Sequence, residues 1–326
     1  MSKRWKHNAR SPVLFFIDDL TNRWIDIDND GIVKAQGDYG FQGFSSNGSF
    51  AHLKEHVLCA NPKIKTTFFC VAGPMSPMTT EMEDINHSFQ LGSTPESRHF
   101  FKTLHNSEMF ELAYHGRTHG SSGNNEAGFI HEWEGFRSLE EALRETEQGK
   151  SIFLGAVGAI PTGGKYCGYK SNEFSDQSVE RSGFRWWCRT YNRGSVLKGK
   201  NPREEYGVSF FGAGRVIDIP TTIPGNLLNG VYAKGKGIRG FAKALLRPFL
   251  KWWELRHIRF LLRHGLVISI QEHISPSRGD NVRQTPNMFD DSESLKAIFS
   301  YLKRKNVWYC TCSELADWIR GEGKNS

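Results

Sequence analysis

The chain has 326 residues, 38% of them apolar and 13% aromatic, enough for one large α/β domain or two smaller ones with a substantial core. Its formal net charge of +7 suits an anionic ligand, an anionic membrane face or nucleic acid. The basic residues are spread out and no nucleic-acid module is recognisable, which sets nucleic acid aside; no stretch reaches the roughly 18 apolar residues of a spanning helix.

The six cysteines form no CxxC pair, and the length is not that of a disulfide-stapled miniature domain, so reduced thiols in a cytoplasm are the simplest expectation. The amino-terminal segment is basic (Lys3, Arg4, Lys6, Arg10), and the apolar run after it is too short for a signal core. Residues 13–18 read as a buried strand, Val13-Leu14-Phe15-Phe16-Ile17-Asp18, followed at once by Asp19. Adjacent carboxylates at the end of such a strand fit a catalytic sheet edge, although turns and helix caps also use aspartate. Trp24 to Gly31 reads as a hairpin or loop. Its Asp-x-Asp-x-Asp-Gly pattern resembles the start of a calcium loop, but the twelfth position is Gly37 rather than an acid, so a turn is expected.

Residues 50–59 read as a helix, 64–71 as a strand, 74–95 as a long loop with Pro74, Pro77 and Pro95, and 96–107 as a helix. A strand over 110–114 runs straight into His115-Gly116-Arg117-Thr118-His119. An amphipathic helix over 138–149 is expected to end at Gly149, followed by a short strand over 156–160. Then come a helix at 175–182 and strands at 184–188 and 216–220, the last stopped by Pro220. The stretch 239–264 is the most basic: Arg239, Lys243, Arg247, Lys251, Arg256, Arg259 and Arg263 face the single acid Glu254, in a helical pattern that Pro248 should break or kink. A buried strand over 266–270 ends in Gln271-Glu272-His273; a helix (292–304), a strand (307–311) and a helix (313–320) complete the chain. Cys310 and Cys312 read as core thiols.

Strands alternating with helices imply a parallel sheet or barrel built from βα units. One domain over 1–326 is expected, with large loop insertions and a basic helical insertion near 231–264. In such folds function gathers at the carboxyl ends of strands. Asp18, Asp19, His115, His119 and His273 all stand at expected strand ends, so one face can collect them. Imidazoles and a carboxylate leave a coordination position open on a zinc-type ion, a second acid can take a proton from water, and a histidine can protonate a leaving amine. His-x-x-x-His alone is weak evidence. His52 and His56 repeat the spacing inside a charged helix, where a solvated face is the expectation.

These residues, in this order, resemble the polysaccharide deacetylase superfamily with the NodB homology domain. Phe16-Ile17-Asp18-Asp19 is similar to its first motif, T-F-D-D; His115 to His119 to its second, H-[ST]-x-x-H; and Val267 to His273 to its last, an apolar strand ending in histidine. The resemblance implies a distorted (β/α) barrel and a divalent metal, usually zinc. It implies Asp18 as general base, Asp19, His115 and His119 as metal ligands, and His273 as general acid. The implied activity is that of a hydrolase removing an acyl group from a sugar. The chain departs from the family at Ile17 and Gly116, and the third motif, R-x-P-[YF], is absent. Its place holds Gly163 to Lys170, with Lys165 or Lys170 as replacements for the arginine. The fourth motif is echoed only by Trp186-Trp187. These departures fit divergent cytoplasmic relatives in surface-polysaccharide pathways, acting on a sugar or a nucleotide- or lipid-linked sugar. Hydrolysis of a non-sugar C–N bond and a non-catalytic carbohydrate-binding role remain alternatives. For 239–264 three readings stand: a solvated helix packed on the barrel, contact with anionic lipid, and recognition of a substrate phosphate.

Overall fold

The computed structural model describes residues 5–25, 39–40, 43–44, 48–78, 80, 86–191, 206–233, 237–274 and 286–321. The calcium-like pattern, residues 26–37, falls outside them. The centre is β1 (Ser11–Leu20), whose ten residues are all buried. Around it run β2 (Thr66–Cys70), β3 (Phe110–Tyr114), β4 (Gly163–Lys165), β5 (Trp186–Cys188), β6 (Ser209–Phe211), β7 (Val216–Asp218), β8 (Ile223–Pro224), β9 (Ile268–His273) and β10 (Val307–Tyr309). Their order is β6-β7-β5-β4-β3-β2-β1-β9-β8, with β10 paired to the start of β1. Every pairing is parallel except β6 with β7. The mixed sheet curls into a distorted (β/α) barrel.

A strand buried on both faces needs apolar residues at both parities. Val13, Phe15 and Ile17 join the larger core cluster with Phe68, Leu112, Tyr114 and Ile268. Leu14 and Phe16 join the second cluster, with Phe69, Ala113, Trp186 and Val267. Alternation places Asp18 in register with Leu14 and Phe16, His115 with Ala113, and Gln271 and His273 with Val267. One face of the sheet therefore delivers all four to the same edge.

The helices are α1 (Ser49–His56), α2 (Pro95–His105), α3 (Leu139–Val157), α4 (Ser175–Arg181), α5 (Gly237–Glu254), α6 (Arg256–His264), α7 (Ser292–Leu302) and α8 (Cys312–Arg320). Two sequence expectations are corrected. Helix α3 does not stop at Gly149 but continues to Val157 and ends at Gly158, whose φ is +90°, so the expected strand over 156–160 is absent. Pro248 lies inside α5, and the break falls later, at buried Leu255 between α5 and α6. The loop over 74–95 also carries a short strand, Asn86–Phe89. Cys310 and Cys312 are buried core thiols.

Gly149 is not a stop because its missing side chain makes room for Tyr114: a Cβ there would lie 1.9 Å from the Tyr114 hydroxyl oxygen. The Tyr114 ring cannot yield easily, being stacked on Phe184 and edge-on to Trp133. Gly149→Ala improves helix propensity by about 1 kcal/mol but overpacks the core at a cost of about 1–3 kcal/mol. The expected outcome is a melting temperature lowered by a few degrees, read by calorimetry; a raised one would contradict this packing.

Candidate active site

Asp18 and Asp19 are neighbours in one strand, so regular pleating would turn them to opposite faces. The strand does not stay regular: pairing of β1 with β2 shifts between Ile17 and Leu20. Asp19 takes a left-handed backbone, φ +66°. A bulge of this kind re-aims a side chain, and both carboxylates reach the carboxyl edge. His119 is left-handed too, φ +70°. Strained non-glycine residues concentrate at sites where the surroundings hold them.

Asp19 Oδ1 lies 3.2 Å from His119 Nε2 and 3.5 Å from His115 Nε2, with all three side chains buried. Burial first of all lowers both imidazoles, His115 to about 4, despite the nearby carboxylates. Both rings are therefore neutral near pH 7, the form that binds a metal. His115 Nδ1 donates to the Lys165 carbonyl at 3.0 Å, which leaves the Nε2 lone pair facing Asp19. A carboxylate and two neutral imidazoles converging in a buried site fit a zinc-type ion. The Cys167 thiol lies close enough to group with His115 and His119 and donates to the His115 carbonyl at 2.6 Å. Burial pushes this thiol well above its ordinary range, so it packs beside the site as a neutral group.

Asp18 sits in a different setting. Its Oδ2 accepts from Lys165 Nζ at 2.5 Å and from Gln271 Nε2 at 3.1 Å. Its Oδ1 is buried and has no hydrogen-bond partner among the described residues. Lys165 is fully buried, ringed by Tyr169, Phe69 and Phe16 at 4.4, 5.3 and 5.9 Å, so its ammonium gains aromatic faces as well as its counter-ion. Gly163 and Gly164 let this strand approach: a Cβ at Gly164 would lie 2.3 Å from the Tyr114 carbonyl oxygen, and one at Gly163 would meet the Trp186 ring. His273 stands directly across from Asp18 in the β1–β9 register, its Nε2 3.8 Å from Asp18 Oδ2. Its Nδ1 donates to the Pro286 carbonyl at 2.6 Å.

The structure thus brings together Asp18, Asp19, His115, His119 and His273. It leaves His52 and His56 apart; His52 is half-buried, stacked on Phe289 and bonded to Ser292. Of the two lysines offered for the missing arginine, Lys165 meets Asp18. Trp186 and Trp187 are core side chains.

Glu132 has no signal in the sequence. Half-buried, it accepts the backbone N–H groups of Arg117, Thr118 and His119 at 2.8, 2.7 and 2.9 Å, clamping the loop that carries both histidines. Burial raises its pKa, against the three N–H bonds. Gly116 is explained by the same carboxylate: its φ is +111°, and a Cβ there would lie 2.6 Å from Glu132 Oε2. Arg117 pairs with Glu145 at 2.6 Å, tying the loop to α3. A cleft of about 1160 Å³ lies at the opposite sheet edge, lined by Trp5, Arg10, Arg263 and Lys305 among others, and takes in none of these groups.

No family profile and no curated protein matches the sequence. Solved structures do match the fold. A polysaccharide deacetylase from Mycobacterium smegmatis aligns with 98% of this chain and 93% of its own at 13% identity and TM-score 0.50. The Puue allantoinase aligns with 98% and 94% at 15% identity and TM-score 0.50. A 4-alpha-glucanotransferase from Thermococcus litoralis covers 94% of this chain with 40% of its own, at 12% identity and TM-score 0.50. The chain has the NodB-like polysaccharide deacetylase fold, and different chemistries occur on similar folds.

Removing the Glu132 carboxylate strands three loop N–H groups. Glu132→Ala is expected to destabilise the protein by on the order of 3 kcal/mol, each buried unpaired donor costing about 1–3 kcal/mol before water enters. Chemical denaturation measures this, and a loss below about 1 kcal/mol would contradict the clamp.

Proposed function

We propose that this protein is a metal-dependent hydrolase that removes an acyl group, N-acetyl foremost, from a sugar or a nucleotide- or lipid-linked glycan precursor. The observation that carries the reading is the division of labour between two adjacent acids. Asp19 converges with two neutral imidazoles, whereas Asp18 is held by Lys165 opposite His273.

Asp19, His115 and His119 would hold the ion, zinc by the chemistry of the donor set. When bound, it supplies Lewis acidity that polarises an acyl carbonyl and eases loss of a proton from water. The chain's own groups supply the rest. Lys165 and Gln271 fix one oxygen of Asp18. The other oxygen, Oδ1, takes a proton from the attacking water as its oxygen bonds to the acyl carbon. His273 is oriented by the Pro286 carbonyl. In its protonated form its Nε2 gives a proton to the leaving nitrogen as the C–N bond breaks. The products are a carboxylic acid and an amine. Lys165 is a positioning residue: it holds one oxygen of Asp18 and leaves the other aimed at the site.

The deacetylase likeness and the net positive charge support a sugar substrate bearing phosphate. The allantoinase likeness supports a second reading, the same chemistry on a non-sugar C–N bond. Acetate release from a panel of nucleotide-linked N-acetyl sugars separates the two. Release from none of them, with turnover of a non-sugar amide, overturns the sugar assignment.

Asp18→Asn is expected to reduce turnover by about a hundredfold or more with metal content unchanged, and His119→Ala to lose the metal; equal metal in His119→Ala and the unaltered protein contradicts the ligand assignment. Lys165→Met should retain metal and lower kcat by about tenfold or more with KM little changed, because Asp18 loses the contact that aims its free oxygen. An unchanged kcat contradicts the positioning role.

A further inference from the structure

Helix α5 turns most of its large apolar side chains outward. Phe241, Leu245, Phe249 and Trp252 recur at spacings of four, four and three, one helix face, with Leu246 and Trp253 beside them. Such a stripe ordinarily faces the core. Here all six side chains are 48–69% exposed. The side turned towards the protein is carried by half-buried Lys243, Leu250 and Lys251: Leu250 packs on the core, and Lys243 Nζ donates to the Ala233 carbonyl at 2.6 Å, while exposed Arg247 holds its guanidinium 5.9 Å from the Tyr232 ring centre. Nothing among the described residues covers the apolar face, and contiguous apolar surface of this kind marks an interaction site.

We infer that this face docks on an anionic lipid bilayer, lying in its interface. Charge decides between a membrane and a second copy. From residue 237 to residue 264 Glu254 is the only acid, against the seven basic residues named above. Two such faces brought together would repel, whereas anionic headgroups attract each of them. The aromatic residues carry the matching geometry. The Arg259 guanidinium lies 4.4 Å from the Trp252 ring centre and that of Arg256 4.7 Å from Trp253, so each tryptophan has a cation beside it, as at a headgroup boundary. No described helix is long and apolar enough to cross a membrane, so the attachment is peripheral.

The placement gives the surface a use. The chain leaves the carboxyl end of β8 for the helical segment and returns through α6 to the amino end of β9, its parallel neighbour. The segment therefore departs from the sheet edge that bears Asp18 and His273. Membrane docking is independent of the reaction proposed above: either can fail alone.

The test is co-sedimentation of the full chain with vesicles of phosphatidylcholine alone and of phosphatidylcholine mixed with phosphatidylglycerol, with tryptophan quenching by brominated lipid. The inference expects binding at least about tenfold tighter to the anionic vesicles. It expects quenching of fluorescence and loss of both by Phe241→Ser/Leu245→Ser/Phe249→Ser. A second variant, Arg256→Gln/Arg259→Gln, should weaken anionic binding while the apolar face stays intact. Absence of vesicle binding, equal binding to both compositions, or a dimer in analytical ultracentrifugation abolished by the triple variant overturns it.

Discussion

The site depends on one buried ion pair, Lys165 with Asp18. Taking two charges out of water is costly, and geometry must return that cost. Here the ammonium lies 2.5 Å from Asp18 Oδ2 and is ringed by Phe16, Phe69 and Tyr169. The carboxylate also accepts from Gln271. The pair explains features that look unrelated in the sequence. Gly163 and Gly164 are there because no side chain fits between the Lys165 strand and its neighbours. The same lysine offers its carbonyl to His115 and so sets the tautomer of a ring facing Asp19. One residue orients members of both halves of the site.

The second constraint is backbone strain. A regular β1 could not aim two consecutive acids at one edge, and the shifted pairing with left-handed Asp19 is the solution. Left-handed His119 is its counterpart across the site. Conformations of this kind cost on the order of 1–3 kcal/mol each. The clamp of Glu132 on the three N–H groups of residues 117–119 helps to hold the second in place. Glycine at 116 and the glutamate at 132 are one device: the carboxylate occupies the space that any side chain at 116 would need.

Much of this was readable in the sequence. The βα alternation, the buried strand ahead of Asp18 and the one ahead of His115 pointed to the barrel and the edge, because a strand buried on both faces shows in residue type as a continuous apolar run. The site residues were visible as strand-end clusters, and Lys165 as a candidate only because it occupies the place of a missing arginine. The rest depends on tertiary contact. Gly149 read as a helix stop, yet Tyr114 makes it an interior packing position. Gly163-Gly164 carries no strand signal in residue type, yet parallel neighbours on both sides make it strand. Glu132 is anonymous between His131 and Trp133, since a backbone clamp leaves no pattern. The outward apolar face of α5 was equally beyond reach: the stripe is in the sequence, but which side meets the barrel is not.

The central claim is that adjacent acids hold different posts. Anomalous diffraction at the zinc edge from zinc-loaded crystals tests it most directly. The account predicts one ion bound by Asp19, His115 and His119, with Asp18 outside the coordination shell and still paired to Lys165. An ion coordinated by Asp18, or no ion at this edge, would contradict it.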